Sequence, residues 1–290
     1  TPPYLNSTMM LNAGEMQNSG FEALVSVRAI DTKTVKWNTN VAFSTNKNKL
    51  VNLSNELFDV TRAFFDAGHT GEPIQISTHR VTVGGPIGQF FVYKSVGLDE
   101  NGGWLVESKD GEIISMEDAK PEDRQFYGNG IPKFNVGWNN SVEIQNFDLA
   151  VNFRGAFGHQ VLNMQSLYYD NPVNRSYNVL KTAFDPIDGK ELKNSLVYVS
   201  HYIEDADYLK IDNVTLGYTF KPNAIKGISN LRVYASGLNL FTFTGYNGID
   251  PEAINFGRIG NENFTFAPGI DHRDKYPSTR MYTLGLNVTF

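Results

Sequence analysis

The final stretch of the chain, YPSTRMYTLGLNVTF (Tyr276–Phe290), decides the predicted fold because its residues alternate by twos from Arg280 onward. A period of two is typical of a β-strand with different surroundings on its two faces. The apolar row ends on an aromatic residue, Phe290, which suits a membrane–water boundary better than a buried core, since aromatic rings form girdles there. The pattern predicts a strand of an outer-membrane β-barrel. The two rows are Arg280, Tyr282, Leu284, Leu286, Val288 and Phe290 against Met281, Thr283, Gly285, Asn287 and Thr289.

The composition favours strands and excludes several kinds of site. Aromatic residues make up 13% of the 290 residues and glycine numbers 26, a mixture that suits strands and turns. The absence of cysteine excludes disulfides, thiolate metal sites and cysteine nucleophiles. The net charge is −6 and no basic stripe is visible, so we expect no nucleic-acid partner.

The hydropathy of the chain is compatible with a membrane barrel. No run approaches the ~18 apolar residues of a transmembrane helix, whereas a barrel strand needs only ~9–11 residues and buries one face. The low mean hydropathy of −0.32 is therefore expected for a barrel. The first residues, TPPYLNSTMM, lack the basic start and apolar core of a signal peptide. We expect a mature protein or the later part of a longer chain.

Six further segments show the same alternation, so seven amphipathic strands are predicted. The polar faces of these strands would lack partners in a protein core, whereas a wet interior suits them. In the last of the six the alternation slips near Gly237–Asn239, which predicts a β-bulge. The six segments are Phe21–Ile30, Val35–Asn46, Lys133–Ile144, Phe147–Gly158, Ala206–Phe220 and Leu231–Thr244.

The connections between these strands alternate between short and long. The short ones are residues 31–34, 145–146 and 221–230, and the long ones are residues 47–132, 159–205 and 245–275. Outer-membrane barrels have this asymmetry, with short periplasmic turns and long extracellular loops. We therefore expect a multi-pass outer-membrane protein with a periplasmic C-terminus and large folded surface loops.

An odd number of strands has a further consequence. A barrel in lipid must close, because unpaired edge groups have no water to satisfy them, and bacterial barrels have an even number of strands. We therefore expect the remaining strands to belong to the same polypeptide upstream or to another chain. Two alternatives stay open: a secreted β-sandwich that binds glycans, and a barrel that serves only as an anchor or adhesin.

Several stretches resemble the C-terminal barrel part of the SusC/RagA family of TonB-dependent outer-membrane transporters of Bacteroidetes. The order and spacing of these stretches match along almost the whole chain, so residues 1–290 are assigned to the barrel of that family. The stretches are NAGEMQNSGFEA (Asn12–Ala23), WNTNVAFSTNKNKLVNLS (Trp37–Ser54), GGPIGQFFVYKSVGL (Gly84–Leu98), YGNGIPKFNVGWNNSVEIQNFDLAVNFRGAFG (Tyr127–Gly158), YLKIDNVTLGYTF (Tyr208–Phe220), LRVYASGLNLFTFTGYNGIDPE (Leu231–Glu252) and the final strand.

The resemblance implies energy-coupled import of a large nutrient, an oligosaccharide or a peptide, through a barrel of about 22 strands. It implies a plug domain and N-terminal strands that are absent from this chain, with TonB acting on the plug. It further implies a SusD-like lipoprotein on the extracellular loops, and lipid and lipopolysaccharide around the wall. The C-terminal row, Tyr282, Leu284, Leu286, Val288 and Phe290, would serve as the signal read by the assembly machinery.

Candidate contact residues fall in two groups. Aromatic residues in the long loops are candidates for stacking on sugar rings or packing on a partner, with packing inside the loops as the alternative: Trp104, Tyr127, Tyr168 and Tyr169. Charged residues on the polar strand faces are candidates for lining the lumen, where they would pair with a plug rather than touch the substrate: Arg28, Asp148, Arg154 and Arg232.

No residue pattern indicates catalysis, and no cofactor is expected. The chain has no G-x-S-x-G motif, and its five histidines are scattered without metal-ligand spacing. Members of the resembled family often carry a calcium-loop-like segment before the G-N-x-x-P-K-F motif. The corresponding residues here, Ser108–Arg124, lack the close Asp/Asn ladder that such a loop needs, so no metal is predicted.

Overall fold

The computed structural model describes residues 14–55, 60–174, 176, 178–221, 225–253, 258–259, 262–263 and 265–290. Seven long strands form one antiparallel sheet in which each strand pairs with its neighbours in chain order. The predicted all-β architecture and its seven strands are therefore confirmed. The strands are β1 (Glu15–Asp31), β2 (Val35–Asn52), β3 (Phe134–Ile144), β4 (Phe147–Phe157), β5 (Tyr208–Thr219), β6 (Asn230–Thr244) and β7 (Met281–Thr289).

The strand ends agree closely with the alternation in the sequence, except in the first hairpin. The turn at Gln145 and Asn146 joins β3 to β4 with two residues, and Gln145 adopts a positive φ of 53° there. β1 begins six residues before its predicted start, and β2 continues six residues beyond its predicted end. The sequence missed these extensions because their residues are mainly polar and lack an apolar row.

The pairing register divides the sheet into an apolar and a polar face. Paired residues in adjacent strands share a face, so each set of paired residues forms a row across the sheet. One such row is apolar, and the neighbouring row on the other face is polar. These rows extend across β2, β3, β4 and β5: Val41, Trp138, Phe153 and Ile211 on one face, and Asn40, Asn139, Asn152 and Asn213 on the other.

Two polar residues in the middle of the apolar face, Thr39 and Asn140, are both hydrogen-bonded. The Trp37 indole donates to Asn140 Oδ1 at 3.3 Å, and the Trp138 indole donates to Thr39 Oγ1 at 2.9 Å. Asn140 and Thr39 are themselves paired across β3 and β2. The two tryptophans therefore satisfy the polar atoms that would otherwise face an apolar surrounding, where an unpaired group is costly.

The predicted bulge is present in β6. Between β5 and β6 the pairing steps from Ile211 and Phe241 to Asn213 and Leu238, so one residue of β5 opposes two of β6. Asn239 absorbs the extra length with a φ of 53°, a conformation that asparagine tolerates better than most residues. Against β4, the register of β5 shifts at the same level, and Asp212 is the extra residue there.

The three long connections fold together into one body, which we call the loop body. Its secondary structure comprises short pieces: strands Ser54–Asn55, Val60–Thr61, Phe64–Ala67, His79–Thr82, Gln89–Val92, Lys94–Leu98, Trp104–Glu107, Ile113–Ser115, Gln125–Asn129, Gln160–Asn163, Ile203–Asp205, Arg258–Ile259, Glu262–Asn263 and Ile270–Asp271, the helix α1 (Met164–Tyr169), and 3₁₀ turns Pro121–Asp123, Lys181–Phe184 and Ser200–Tyr202. Among the described residues no helix is long and apolar enough to cross a membrane.

The main buried core of the protein lies in this loop body rather than in the sheet. All three long connections contribute side chains to one cluster, for example Phe90 and Trp104 from the first, Leu162 and Tyr198 from the second, and Ile270 from the third. The long connections are thus folded, as predicted, and they also contain short strands of their own. Their shared core was not foreseen, because no single connection carries an apolar period long enough to reveal it.

The loop body packs on the polar-face side of the extended β2. Leu50 has the same parity as the polar row of β2 and is buried against Val81 and Ile87 of the first connection. Asn48, two residues earlier, accepts a hydrogen bond from the Ile87 backbone at 2.5 Å. The loop body therefore leans over the polar face of the sheet and leaves the apolar face bare.

Candidate functional site

A cluster of four charged residues lies where the loop body meets the polar face. Arg154 of β4 points from this face, and the bulge in β5 brings Asp212 beside it, with Arg154 Nε donating to Asp212 Oδ1 at 2.9 Å. Glu252 of the third connection accepts from Arg154 and, at 3.0 Å, from Lys210 Nζ. Two cations and two carboxylates thus form a continuous chain of ion pairs between the wall and a loop.

Burial makes this network structurally consequential. The Lys210 side chain is only 3% exposed, while those of Arg154 and Glu252 are about a third exposed. Removing one partner of a buried ion pair costs roughly 3–5 kcal/mol because the other charge remains unpaired, although exposed pairs contribute far less. The cluster therefore fixes the third connection on the polar face.

The segment that carries Glu252 is held by a second set of polar contacts. Asp250 accepts from the Glu252 backbone at 3.0 Å and from the Ser278 hydroxyl. Burial opposes ionisation of Asp250, but these hydrogen bonds outweigh it and the pKa of the carboxyl is lowered. Asp271, which is buried, accepts from the Tyr246 hydroxyl at 2.9 Å, and its negative charge adds to burial in raising the pKa of that phenol. These contacts fix the position of Glu252.

A separate ion pair spans the polar face nearer the short turns. Arg232 of β6 contacts Asp148 of β4 through two nitrogens, with Nε donating to Oδ1 at 2.9 Å. Gly217 of β5 lies between them, and a Cβ at that position would be 2.4 Å from the Arg232 guanidinium and 2.5 Å from the carboxylate. The glycine therefore makes room for an ion pair between two strands that are not adjacent.

The predicted lumen residues thus do not form one site. Arg154 belongs to the four-residue network, and Asp148 and Arg232 form their own pair. Arg28 lies at the far end of β1 and pairs with Asp31 at 2.8 Å, with both side chains exposed. Direct contact of any of them with a plug stays a prediction.

The structure corrects the contact prediction for two of the loop aromatics. Trp104 is 1% exposed and Tyr168 is fully buried, with its hydroxyl donating to the Thr70 carbonyl at 2.7 Å. Their rings fill the core of the loop body and present no face to a ligand, so packing is their role. Tyr127 and Tyr169 are half-buried and pack against the same core, and a contact role for them stays a prediction.

The histidines and carboxylates of the described residues do not assemble into a metal site. No group of three or more potential metal ligands comes together among them. The buried histidines contribute to the packing of the loop body. The His79 ring packs against the Phe90 ring, with 4.4 Å between the ring centroids, and it hydrogen-bonds to the Pro268 carbonyl at 3.0 Å. Burial lowers the pKa of His79 to about 3, so it is neutral at ordinary pH.

The final strand presents its apolar row to the outside. Leu284 is 88% exposed and Phe290 is 90% exposed, and Tyr282, Leu286 and Val288 are also exposed. Contiguous apolar surface of this kind marks contact with a membrane or another protein. The role of this row in assembly stays a prediction.

Sequence reasoning missed three members of the charged network, Lys210, Asp212 and Glu252. The alternation around Asp212 was one visible signal, because a β-bulge adds one residue to a face of the strand. The match between the polar residues of β4 and those of β5 was a second signal. The position of Glu252 carried no such signal, since only the fold of the third connection brings it to β4.

Comparison with curated proteins gives matches over nearly the whole chain. TonB-dependent receptor P3 of Formosa agariphila is 31% identical, over 98% of this chain and 30% of its own length. TonB-dependent receptor SusC of Bacteroides thetaiotaomicron is 28% identical, over 98% of this chain and 27% of its own length. The chain therefore spans about a third of these relatives. No protein-family model matches it.

Solved structures of the RagAB peptide transporter have the same fold. One superposes with a TM-score of 0.75 and 18% identity, covering 96% of this chain and 30% of the other. A second, of the RagAB peptide importer in its open–open state, gives a TM-score of 0.69 and 17% identity, over 96% and 29% of the two chains.

Over nearly its whole length the chain matches TonB-dependent receptors of the SusC/RagA type. Within such a receptor the seven-stranded sheet is a fragment of the barrel wall, which explains why it does not close on itself. In an outer-membrane barrel the apolar face of the wall is the outer surface and the polar face lines the lumen. The loop body of the chain leans over the polar face of its sheet.

Proposed function

We propose that the chain forms wall and extracellular loops of an outer-membrane, TonB-dependent importer of a large nutrient. In this proposal β7 runs toward the periplasm, and the long connections lie outside the cell. The chain performs no bond chemistry. The observation that carries the proposal is the polarity of the sheet, with an exposed apolar face and an Asn-rich polar face, together with the likeness to TonB-dependent receptors.

The loop body supports the part of the proposal that concerns a partner. Several large apolar side chains remain exposed on it, including Ile113 at 65% and Phe184 at 68%. Exposed apolar groups on an otherwise well-packed body favour contact with another protein. A SusD-like surface lipoprotein is the partner that this family resemblance implies, and TonB would act through a plug outside this chain.

The nutrient is proposed to be an oligosaccharide or a peptide. The polar face offers amides, hydroxyls and paired charges rather than a net charge of one sign, which suits a neutral or zwitterionic solute. The likeness to RagAB, a peptide transporter, supports a peptide, and the half-buried rings of Tyr127 and Tyr169 suit sugar stacking. Oligosaccharides and peptides are therefore both included in the uptake experiment.

The two alternatives are less well supported. A secreted β-sandwich buries the apolar face of one sheet against a second sheet, whereas here the apolar rows of β1, β6 and β7 are exposed among the described residues. An anchor or adhesin has no need of a polar lumen covered by a folded loop body. Neither alternative accounts for the ion pairs that fix a loop over the polar face.

The experiment is performed on the complete receptor in its native outer membrane. Cells with and without the receptor are given defined oligosaccharides and peptides as sole nutrient, and uptake is measured with TonB present and absent. We expect uptake of one class that requires both the receptor and TonB, and a surface lipoprotein that co-purifies with it. Extraction of the receptor without detergent, or uptake that is independent of TonB, would contradict the proposal.

A further inference from the structure

A basic groove opens in the wall where β2 and β3 separate. Thr45 and Phe134 form the last pair between these strands. Beyond this pair β2 continues beside β1, and its Leu50 exchanges backbone hydrogen bonds with Gly84 and Gly85 of the loop body, while the chain before Phe134 turns into the loop body. The groove between them has a volume of about 530 Å³ and is lined by residues 46–49 on one side and by residues 128, 129 and 131–133 on the other, with Gly84, Pro86, Gly158 and Gln160 completing the lining. Ligand pockets commonly have volumes of ≈ 300–1,000 Å³.

Two of the lysines that line the groove lie on the outer, lipid-facing side of the wall. Lys47 and Lys49 have the same parity as Val41 and Phe43 of the apolar face, and they pair with Ser19 and Gln17 of β1 without an intervening register shift. On the opposite side of the groove, the aliphatic part of the Lys133 side chain lies beside Gly158, where a Cβ would be 2.8 Å from Lys133 Cδ. Three lysines therefore surround one opening.

The charge of this groove is opposite to that of the chain. Its lining contains Lys47, Lys49 and Lys133 and no carboxylate, although the chain as a whole has 31 acidic and 25 basic residues. None of the three lysines forms an ion pair with a described residue, whereas Lys36, four residues before Asn40 on the same strand, pairs with Glu143. Uncompensated cations in a groove attract an anionic group.

An apolar surface suited to lipid chains lies directly below the groove. Phe43, Phe134 and Phe157 are stacked across β2, β3 and β4, with ring centroids 5.7 Å and 5.0 Å apart. Aromatic rings at this level of a barrel wall lie at the membrane interface. An amphiphile could therefore place its acyl chains on the apolar face and its head in the groove.

We propose that this groove binds the phosphate-bearing headgroup of an outer-leaflet lipid, of which lipopolysaccharide is the expected example. The inference rests on the proposed outer-membrane location. Ammonium groups donate strong hydrogen bonds to phosphate oxygens, and each basic residue near a lipid surface adds about fivefold to binding. The headgroup would contact β2 and the loop body together and so stabilise their junction.

The test uses the complete receptor, purified from the outer membrane and placed in lipid nanodiscs. Lys47→Gln, Lys49→Gln and Lys133→Gln are made singly and together, with Lys193→Gln on the exposed part of the loop body as matched control. Bound lipid is counted by native mass spectrometry, and affinity is measured for lipopolysaccharide and for the same lipid after enzymatic removal of its phosphates. Heat-modifiable migration on gels checks that each barrel is folded.

We expect each single change to weaken binding about fivefold and the triple change about 100-fold, with no effect of Lys193→Gln. The dephosphorylated lipid should bind the unaltered receptor as weakly as lipopolysaccharide binds the triple variant. Unchanged affinity in the folded triple variant would overturn the proposal, as would inorganic phosphate binding as tightly as the lipid. Nutrient uptake should persist in the triple variant, so loss of lipid alone separates this site from the importer function.

Discussion

A lysine placed on each of two adjacent residues of β4 provides a direct test of which face meets lipid. Val151 and Asn152 lie near the middle of this eleven-residue strand, and their side chains point to opposite faces. Val151 pairs with Asn140 and Val214 on the apolar side, and Asn152 pairs with Asn139 and Asn213 on the polar side. The two substitutions therefore introduce the same charge at the same depth.

The expected cost differs sharply between the two positions. A lysine on the lipid face at the bilayer midplane costs roughly 2–4 kcal/mol, so Val151→Lys should lower the folding equilibrium constant about 30-fold to 700-fold. Asn152→Lys keeps its ammonium among amides in a wet lumen, and its effect should stay within about 1 kcal/mol, near the range of surface substitutions.

The measurement is urea unfolding of the complete receptor in lipid bilayers, followed by tryptophan fluorescence. Outer-membrane levels in cells provide a second readout, since a barrel that does not insert is degraded. Equal losses at both positions, or a larger loss at Asn152, would refute the assignment of the faces and with it the reasoning from pairing register to membrane.

Three further changes test the loop body and its attachment. Trp104→Ala should destabilise the loop body by roughly 3–5 kcal/mol because it empties the core, seen as faster proteolysis there, with Tyr169→Ala as the milder control. Arg154→Ala should release the third connection by leaving Glu252 and Asp212 without their cation, seen as faster amide exchange near Glu252, whereas Arg154→Lys should retain part of the protection. His79 has a pKa of about 3 in the folded protein, where it is neutral, and of about 6.5 in the unfolded chain. Its contribution to the free energy of unfolding is therefore present above pH 6.5 and falls as the pH drops. The loss should reach about 2 kcal/mol at pH 5, and His79→Gln should flatten the pH dependence of thermal unfolding; an unchanged profile would contradict it.

The charged network and the basic groove illustrate why the site was only partly predictable. Arg154 could be assigned to the polar face because the alternation of β4 is unbroken over eleven residues. Its partner Glu252 lies 98 positions away, in a segment without periodicity, and no local pattern indicates their contact. Likewise, Lys47 and Lys49 are visible as a basic pair, but Lys133 joins them only because the pairing of β2 with β3 ends at Thr45 and Phe134.

The role of the aromatic residues in the loops was likewise not predictable from the sequence. Trp104 and Tyr168 resemble ligand-stacking residues in sequence because polar residues and glycines surround them. The structure buries both, because three separate connections pool their scattered apolar side chains into one core. Burial of this kind depends on contacts between distant segments, which a local pattern does not encode.

The sequence by itself determined the seven strands, their order, their two faces and the turns, because a period of two and the turn residues are local properties of the chain. The final stretch, Tyr276–Phe290, was sufficient to indicate a membrane strand. Only the tertiary structure decided that the long connections form one folded body leaning over the polar face, and which charges meet there. The physical reason is that strand pairing between neighbours follows from local pattern, whereas the packing of loops is set by which distant side chains can exclude water together.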